Sequence, residues 1–485
     1  MKLEARRSCP ADADVLAVPV LPGRTSPGAQ VSLSVDFLEA RGFEGRVGEV
    51  LALLGDDGST VLAVGVGDPD TISADTLRKS AAAAVRAAGP ARHLALTLLA
   101  ALPAGQDAGP AAQAMAEGAA LAGYAFTTHK STDGPARAHR VTVVGGDRDA
   151  VARGARVARA VILARDLTNE PPGTMTPRHL AAAAQRLADE GGLVCTVWDE
   201  GVIAAERLGG LAGVARGSDE PARLIRLVYE PDGAAPDSAV GHVVLVGKGV
   251  TFDSGGLSIK SADGMMTMKQ DMGGGAVVLA VMSALADLRV PVRVTGIVPA
   301  TENLPGPRAI KPGDVLRFRN GKTAEVLNTD AEGRLILADG LSLAAEAEPD
   351  AVIDLATLTG AVRTALGTEI AGLMGTSEPL CAQVEAASAR ADEAVWRLPL
   401  PDRYRRLLDS DVADMKNIGP GTAGALLAGL FLREFVGDVP WAHLDIAGPA
   451  WADAGDDLSP KGATGFGVRM VLELLASFEP PPGNE

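Results

Sequence analysis

The sequence predicts an α/β protein of two domains, each a mainly parallel or mixed sheet flanked by helices. Three observations carry that expectation. A chain of 485 residues is longer than one ordinary core accommodates. Short runs rich in Val, Ile and Leu alternate with Ala-rich runs of helical period, the pattern of a sheet covered by helices on both faces. Several apolar runs also end on loops that gather Gly, Asp and Lys, as strand ends that hold a site do.

From residue 15 to about 146, candidate strands at 15–21, 61–66, 93–98 and 141–144 alternate with candidate helices at 74–88 and 111–122, an α/β domain of ordinary size. Gly65-Val66-Gly67 follows a strand but lacks a third glycine and a helix at the right offset, so a tight turn competes with a phosphate loop. An Arg- and Ala-rich helix is expected over 149–166, stopped by Pro171 and Pro172, with a domain boundary near residue 167. Beyond it, strands are expected at 224–228, 243–246, 292–297, 352–355 and 443–446, and helices at 176–189, 276–288 and 335–347. The Pro-rich tail at 480–482 is expected to fray.

Composition narrows the function classes. Aromatics are only 3% while Ala and Gly abound, which suits close packing by small residues. With 61 acidic against 45 basic residues the net charge is −16, so general attraction to nucleic acid or an anionic membrane is not expected. Cys9, Cys195 and Cys381 are odd in number and far apart, which fits a reducing compartment rather than a disulfide framework. No signal-peptide core follows Met1 and no run of the ~18 to 20 apolar residues of a membrane span is evident, so a cytoplasmic protein is expected.

The chemistry concentrates in three stretches. Asn328-Thr329-Asp330-Ala331-Glu332-Gly333-Arg334-Leu335 puts two carboxylates and a guanidinium on a turn between an apolar run and a helix. Lys248, Asp253 and Lys260 lie in a Gly-rich loop after the 243–246 strand, and Asp271 opens the helix that follows. Four converging carboxylates would repel one another, and divalent cations remove that cost. Each residue has a plainer use: an Asp at a helix start can simply cap it, a Gly-rich loop can be only a turn, and Lys248 can pair with a carboxylate.

The octapeptide at 328–335 and the Lys-x4-Asp-x6-Lys-x10-Asp series at Lys248, Asp253, Lys260 and Asp271 resemble the leucyl aminopeptidase family of two-metal peptidases. The stretches at 165–171 and 441–448 resemble it too. The resemblance implies a smaller, macro-like N-terminal domain over 1–148, a connecting helix over 149–167 and a larger catalytic domain over 168–485. It implies that Asp253 and Glu332 serve both of two divalent metal ions, Mn or Zn, that Asp330 completes the tighter site, and that Lys248 with Asp271 completes the more exchangeable one. As a ligand Lys248 must be neutral. Lys260 is implied as the electrophile for the oxyanion, and Arg334 as the holder of a bicarbonate that acts as base on a metal-bridging hydroxide.

The same resemblance assigns substrate binding to Met268, Asn328, Thr357, Leu358, Thr359, Ala447 and Ala450. A core methionine on a helix face is the lesser alternative for Met268, and Ala450 stands where family members often carry a larger residue such as Met, which implies a wider pocket. The implied activity is release of N-terminal residues, Leu and other apolar ones preferred, from short peptides by a cytoplasmic homo-hexamer. Some bacterial members also bind DNA, so an added DNA-binding regulatory role is the alternative, against which the net charge of −16 argues.

Overall fold

The computed structural model describes residues 1–25, 34–55, 58–132, 134, 137–231 and 240–482. The chain divides into two compact units. The first comprises Met1–Ile162 with Asp453–Gly462, the second Leu163–Ala452 with Ala463–Glu485. The division falls within a single helix, Arg148–Asn169.

The first unit holds a seven-stranded sheet in the order Lys2–Arg6, Arg140–Val144, His93–Leu96, Val15–Leu21, Thr60–Gly65, Val50–Leu54, with Arg24–Thr25 pairing beside Val15–Leu21. All neighbours are parallel except Val50–Leu54 and Arg24–Thr25, which run antiparallel to their partners. Helix Ala74–Ala88 starts in a capping box made by Ser73 and Thr76, and Ala108–Ala122 starts on Asp107. The two pack so closely that a side chain at Gly118 would sit 2.0 Å from the Arg78 carbonyl. The buried Arg78 guanidinium pairs with Glu117 at 2.9 Å there. Gly65 ends strand Thr60–Gly65 and the chain is irregular at Val66 and Gly67, whose N–H groups are both taken by main-chain carbonyls, those of Val20 at 3.1 Å and Gly45 at 3.0 Å.

In the second unit a nine-stranded sheet runs in the order Val395–Arg397, Ala371–Gly375, Trp441–Asp445, Ala351–Ala356, His242–Gly247, Arg293–Asn303, Arg223–Tyr229, Val194–Trp198, with Gly249–Asp253 also pairing beside Arg293–Asn303. Its four central strands are parallel, while Ala371–Gly375, Arg223–Tyr229 and Val194–Trp198 introduce antiparallel pairs, so the sheet is mixed. Arg293–Asn303 is longer than the apolar run at 292–297 suggests, because it pairs first with His242–Gly247 and then with Gly249–Asp253. Pro299 is tolerated inside it because it lies opposite the break between those two strands, at Lys248. The helical stretch Ala262–Leu288 is apolar enough to match a membrane span by length, yet 78% of its most apolar window is buried inside the unit. It is a core element, which a run of Val, Leu and Ala between strands is free to be.

The octapeptide lies, as expected, between a strand and a helix. The strand before it, Thr323–Glu325, belongs to a separate three-stranded sheet with Val315–Arg317 and Met415–Lys416, not to the large sheet. The helix after it, Gly333–Ala345, returns to pack on the large sheet with Leu335, Ile336, Leu337, Ala338 and Leu341 fully buried. The octapeptide therefore carries the chain from the small sheet back to the large one.

Candidate active site

Four segments converge at the carboxyl ends of the central parallel strands. Lys248 is the single residue between strands His242–Gly247 and Gly249–Asp253; its N–H donates to Leu355 O at 3.0 Å and its carbonyl accepts from Gly275 N at 2.7 Å. Asp253 ends the second of those strands, and Lys260 closes the loop after it. Asp271 lies in the 3₁₀ turn Met268–Met272 that leads into helix Gly273–Leu288. Asp330 and Glu332 come from the octapeptide, with Glu332 at the N-cap of Gly333–Ala345.

The structure brings these six side chains into one cluster. Ligand atoms of Asp253, Asp330 and Glu332 all lie within 4.8 Å of one another. Lys248 Nζ is 2.7 Å from Asp271 Oδ1, 3.0 Å from Glu332 Oε1 and 3.0 Å from Thr357 O. Lys260 Nζ is 2.8 Å from Asp253 Oδ2 and pairs also with Asp330 Oδ1. Glycine at 333 leaves room for the lysine: a side chain there would lie 2.6 Å from Lys248 Cε and displace it.

Charge in the cluster is unbalanced, since four carboxylates face two ammonium groups. Burial, reinforced by Glu332, pushes the Asp253 carboxyl up to about 6. Burial alone would lower Lys248, but Asp271, Glu332 and Asp253 hold its ammonium above the ordinary lysine range. The lysine that the resemblance makes a neutral ligand lies against two carboxylates, those of Asp271 and Glu332. Burial would likewise lower Lys260, and Asp253 and Asp330 hold it up. Asp271 Oδ2 is buried and takes no hydrogen bond. An all-oxygen carboxylate set with surplus negative charge and an unbonded buried oxygen fits hard divalent cations.

Arg334 follows Glu332 by two residues, in the first turn of helix Gly333–Ala345. Its Nη1 donates to Asn417 O at 2.8 Å, while Nε is buried without a partner. Burial drives it down to about 10. Asn328 has a local duty as well, because its Oδ1 accepts from the Asp330 N–H at 2.9 Å and so shapes the turn that presents the carboxylate.

Of the expected substrate residues, Thr357 and Ala450 meet over the head of helix Gly273–Leu288: a side chain at Gly273 would lie 3.7 Å from Thr357 Cγ2 and 3.8 Å from Ala450 Cβ. Thr357 Oγ1 also donates to Asp271 Oδ1 at 2.8 Å, which joins this wall to the carboxylate cluster. Met268 is half-buried in the turn before that helix. Leu358, Thr359 and Ala447 gather around Asp445: its Oδ1 accepts from the N–H groups of Leu358 at 3.2 Å, Thr359 at 3.4 Å and Ala447 at 3.2 Å, and its Oδ2 from Thr359 Oγ1 at 2.7 Å.

Three residues outside the sequence reading shape this site. Asp445 joins two loops. Asn417, fully buried, accepts from the Leu327 N–H at 2.8 Å and donates to Asn328 O at 2.7 Å, standing in for a neighbouring strand where the small sheet ends. Asn303 donates to Asp253 Oδ1 at 2.8 Å and to Thr329 O at 3.0 Å. The signal that could have found Asn303 is a polar residue closing an apolar strand on the side where the other site loops open.

Clustered carboxylates and lysines at the carboxyl ends of parallel strands define a metal-dependent hydrolase centre. Residues 162–472 match the family model for the catalytic domain of the cytosol aminopeptidase family, and residues 31–133 match that for its N-terminal domain. The chain belongs to the cytosol aminopeptidase family, and it is a metallo-aminopeptidase, a hydrolase. It is 45% identical over 471 residues to the probable cytosol aminopeptidase of Leifsonia xyli subsp. xyli (strain CTCB07), covering 93% of this chain and 92% of that protein. The probable cytosol aminopeptidase of Aquifex aeolicus (strain VF5) is 40% identical over 472 residues, covering 95% and 94%. Among solved structures, the bottromycin maturation enzyme BotP in complex with Mn superposes with a TM-score of 0.88 at 44% identity, over 96% of this chain and 99% of that one. A tomato leucine aminopeptidase mutant gives 0.88 at 31% identity, over 98% and 96%.

Proposed function

We propose that the enzyme releases single N-terminal residues, Leu and other apolar ones preferred, from short peptides, using two divalent cations held by Lys248, Asp253, Asp271, Asp330 and Glu332. The observation that carries this reading is the convergence of Asp253, Asp330 and Glu332 within 4.8 Å, beside Asp271 with its unbonded oxygen. Manganese or zinc suits such donors, and the manganese complex of BotP favours the former. When bound, the cations supply Lewis-acid polarisation of the scissile carbonyl, a partner for the free α-amino group and acidified water. Lys260 supplies a fixed positive charge for the oxyanion, which the carboxylates beside it keep protonated. Arg334, with Nη1 tethered and Nε buried without a partner, offers its remaining donors to bicarbonate, the proposed base. Lys248 surrenders its proton on becoming a ligand.

Substrate contact falls to Met268, Asn328, Thr357, Leu358, Thr359, Ala447 and Ala450, with the small Ala450 widening the pocket. A cytoplasmic location draws support from the names of the relatives, and a homo-hexamer from the family resemblance. An added DNA-binding role has the net charge of −16 against it.

Metal-stripped protein reloaded with Mn or Zn tests the reading on leucine amide and its N-acetylated form. Hydrolysis of the free amine alone is expected; equal rates on both overturn the requirement for an α-amino group. Asp445→Ala removes one acceptor from three backbone N–H groups and a hydroxyl, and loosens both substrate loops while leaving the metal residues in place. Its KM for leucine amide should rise about tenfold with kcat nearly unchanged, because uniform binding is what is lost. A fall in kcat at constant KM would place Asp445 elsewhere in the reaction.

A further inference from the structure

Asn303 has no ionisable group, yet its buried amide stands where the two loops that carry the shared carboxylates meet. Its Nδ2 donates to Asp253 Oδ1 at 2.8 Å and to Thr329 O at 3.0 Å, and lies 3.5 Å from Glu332 Oε2. Its main-chain carbonyl accepts from Ser254 N at 3.0 Å and from Ser254 Oγ at 2.7 Å. Four bonds therefore tie the end of strand Arg293–Asn303 to Asp253, to Ser254 and to the octapeptide backbone just before Asp330.

The consequence is a division of labour between carboxylate oxygens. Asp253 Oδ1 is taken by Asn303 and by the Gly255 N–H at 2.8 Å, while Oδ2 faces Lys260 at 2.8 Å. Glu332 Oε2 is turned toward Asn303, while Oε1 faces Lys248 at 3.0 Å. In each group one oxygen is anchored and the other looks into the cluster. Only a neutral donor suits the anchoring position: a lysine or arginine would compete with cations in the cluster, and a carboxylate would repel both neighbours. The fit around the amide is close, for a side chain at Gly256, whose φ is +65°, would lie 2.8 Å from Asn303 Oδ1.

We propose that Asn303 is the positioning residue of the metal centre, fixing which oxygens of Asp253 and Glu332 face the cations. This rests on the two-cation reading above. The test is calorimetric titration of Mn²⁺ into metal-stripped wild type and into Asn303→Asp, Asn303→Ala and Asn303→Ser, with kcat and KM on leucine amide and thermal unfolding of each metal-free protein. Positioning predicts Mn²⁺ affinity weakened about tenfold or more in every variant that folds, kcat lowered and KM unchanged. The aspartate variant is decisive, because it adds a negative charge in the same shape. If charge alone set affinity it would bind Mn²⁺ more tightly, and that result, or affinity within twofold of wild type in any folded variant, overturns the proposal. A lowered unfolding temperature with unaltered Mn²⁺ affinity and kcat would make Asn303 merely structural and overturns it as well. Absence of Mn²⁺ binding by the wild-type protein would overturn the two-cation reading along with it, which separates that failure from a failure of Asn303 alone.

Discussion

Glu332→Ala is expected to lower kcat/KM on leucine amide by about 10³-fold, a loss of about 4 kcal/mol of transition-state stabilisation. The size follows from the number of jobs that one carboxylate holds. It lies within 4.8 Å of Asp253 and Asp330 in the proposed ligand set, pairs with Lys248 at 3.0 Å and faces the Asn303 amide. No neighbour can take its place, since Asp271 is bonded to Lys248 and Thr357 on the other side of the cluster. The fold should survive the change, because Lys248 keeps Asp271 at 2.7 Å and the Thr357 carbonyl at 3.0 Å. The metal-free variant should therefore unfold within a few degrees of wild type while its Mn²⁺ uptake collapses. Lys260→Ala should remove activity too but retain the metal, because on this reading it acts on the developing oxyanion. Full hydrolysis by both variants would sink the assignment of this cluster as the reacting centre.

The residues proposed to do the chemistry were legible because chemistry demands ionisable groups in loops, where packing alone rarely puts them. The octapeptide and the Lys248–Asp271 series stand out for that reason, and the structure brings all six side chains together. The residues that hold those groups were not legible. Asn303, Asn417 and Asp445 act on partners as far as 90 positions away, through bonds that exist only once separate segments are aligned. The strand and helix around the octapeptide were legible, but a short apolar run cannot say which sheet it joins. Strand Arg293–Asn303 was underestimated for a related reason: Pro299 looks like a terminator until the break at Lys248 opposite it is known. The antiparallel margins of the large sheet, Val194–Trp198 among them, carry too little alternation to announce their direction.

Asp354→Ala is expected to cost the protein about 3–5 kcal/mol of stability without touching a residue of the site. His443 lies within strand Trp441–Asp445 and has a buried partner. Strands Ala351–Ala356 and Trp441–Asp445 run parallel with Asp354 opposite His443, and both side chains are wholly buried. His443 Nδ1 lies 2.6 Å from Asp354 Oδ1, and Trp441 Nε1 donates to Asp354 Oδ2 at 2.8 Å, with the indole stacked on the imidazole. Burial would lower the His443 pKa, but Asp354 holds it above its ordinary value. Removing the carboxylate strands an imidazole and an indole N–H in the centre of the sheet, and an unfolding temperature lower by roughly 5–10 °C is the expected reading. The pH dependence identifies the cause. A histidine whose pKa is raised on folding contributes stability that is complete below its unfolded value and fades as pH climbs through the folded one. The gap between wild type and Asp354→Asn should therefore be widest below about pH 6.5 and narrow as pH rises. A gap that stays constant across that range would mean the histidine is neutral throughout and the loss is only one of packing and hydrogen bonding.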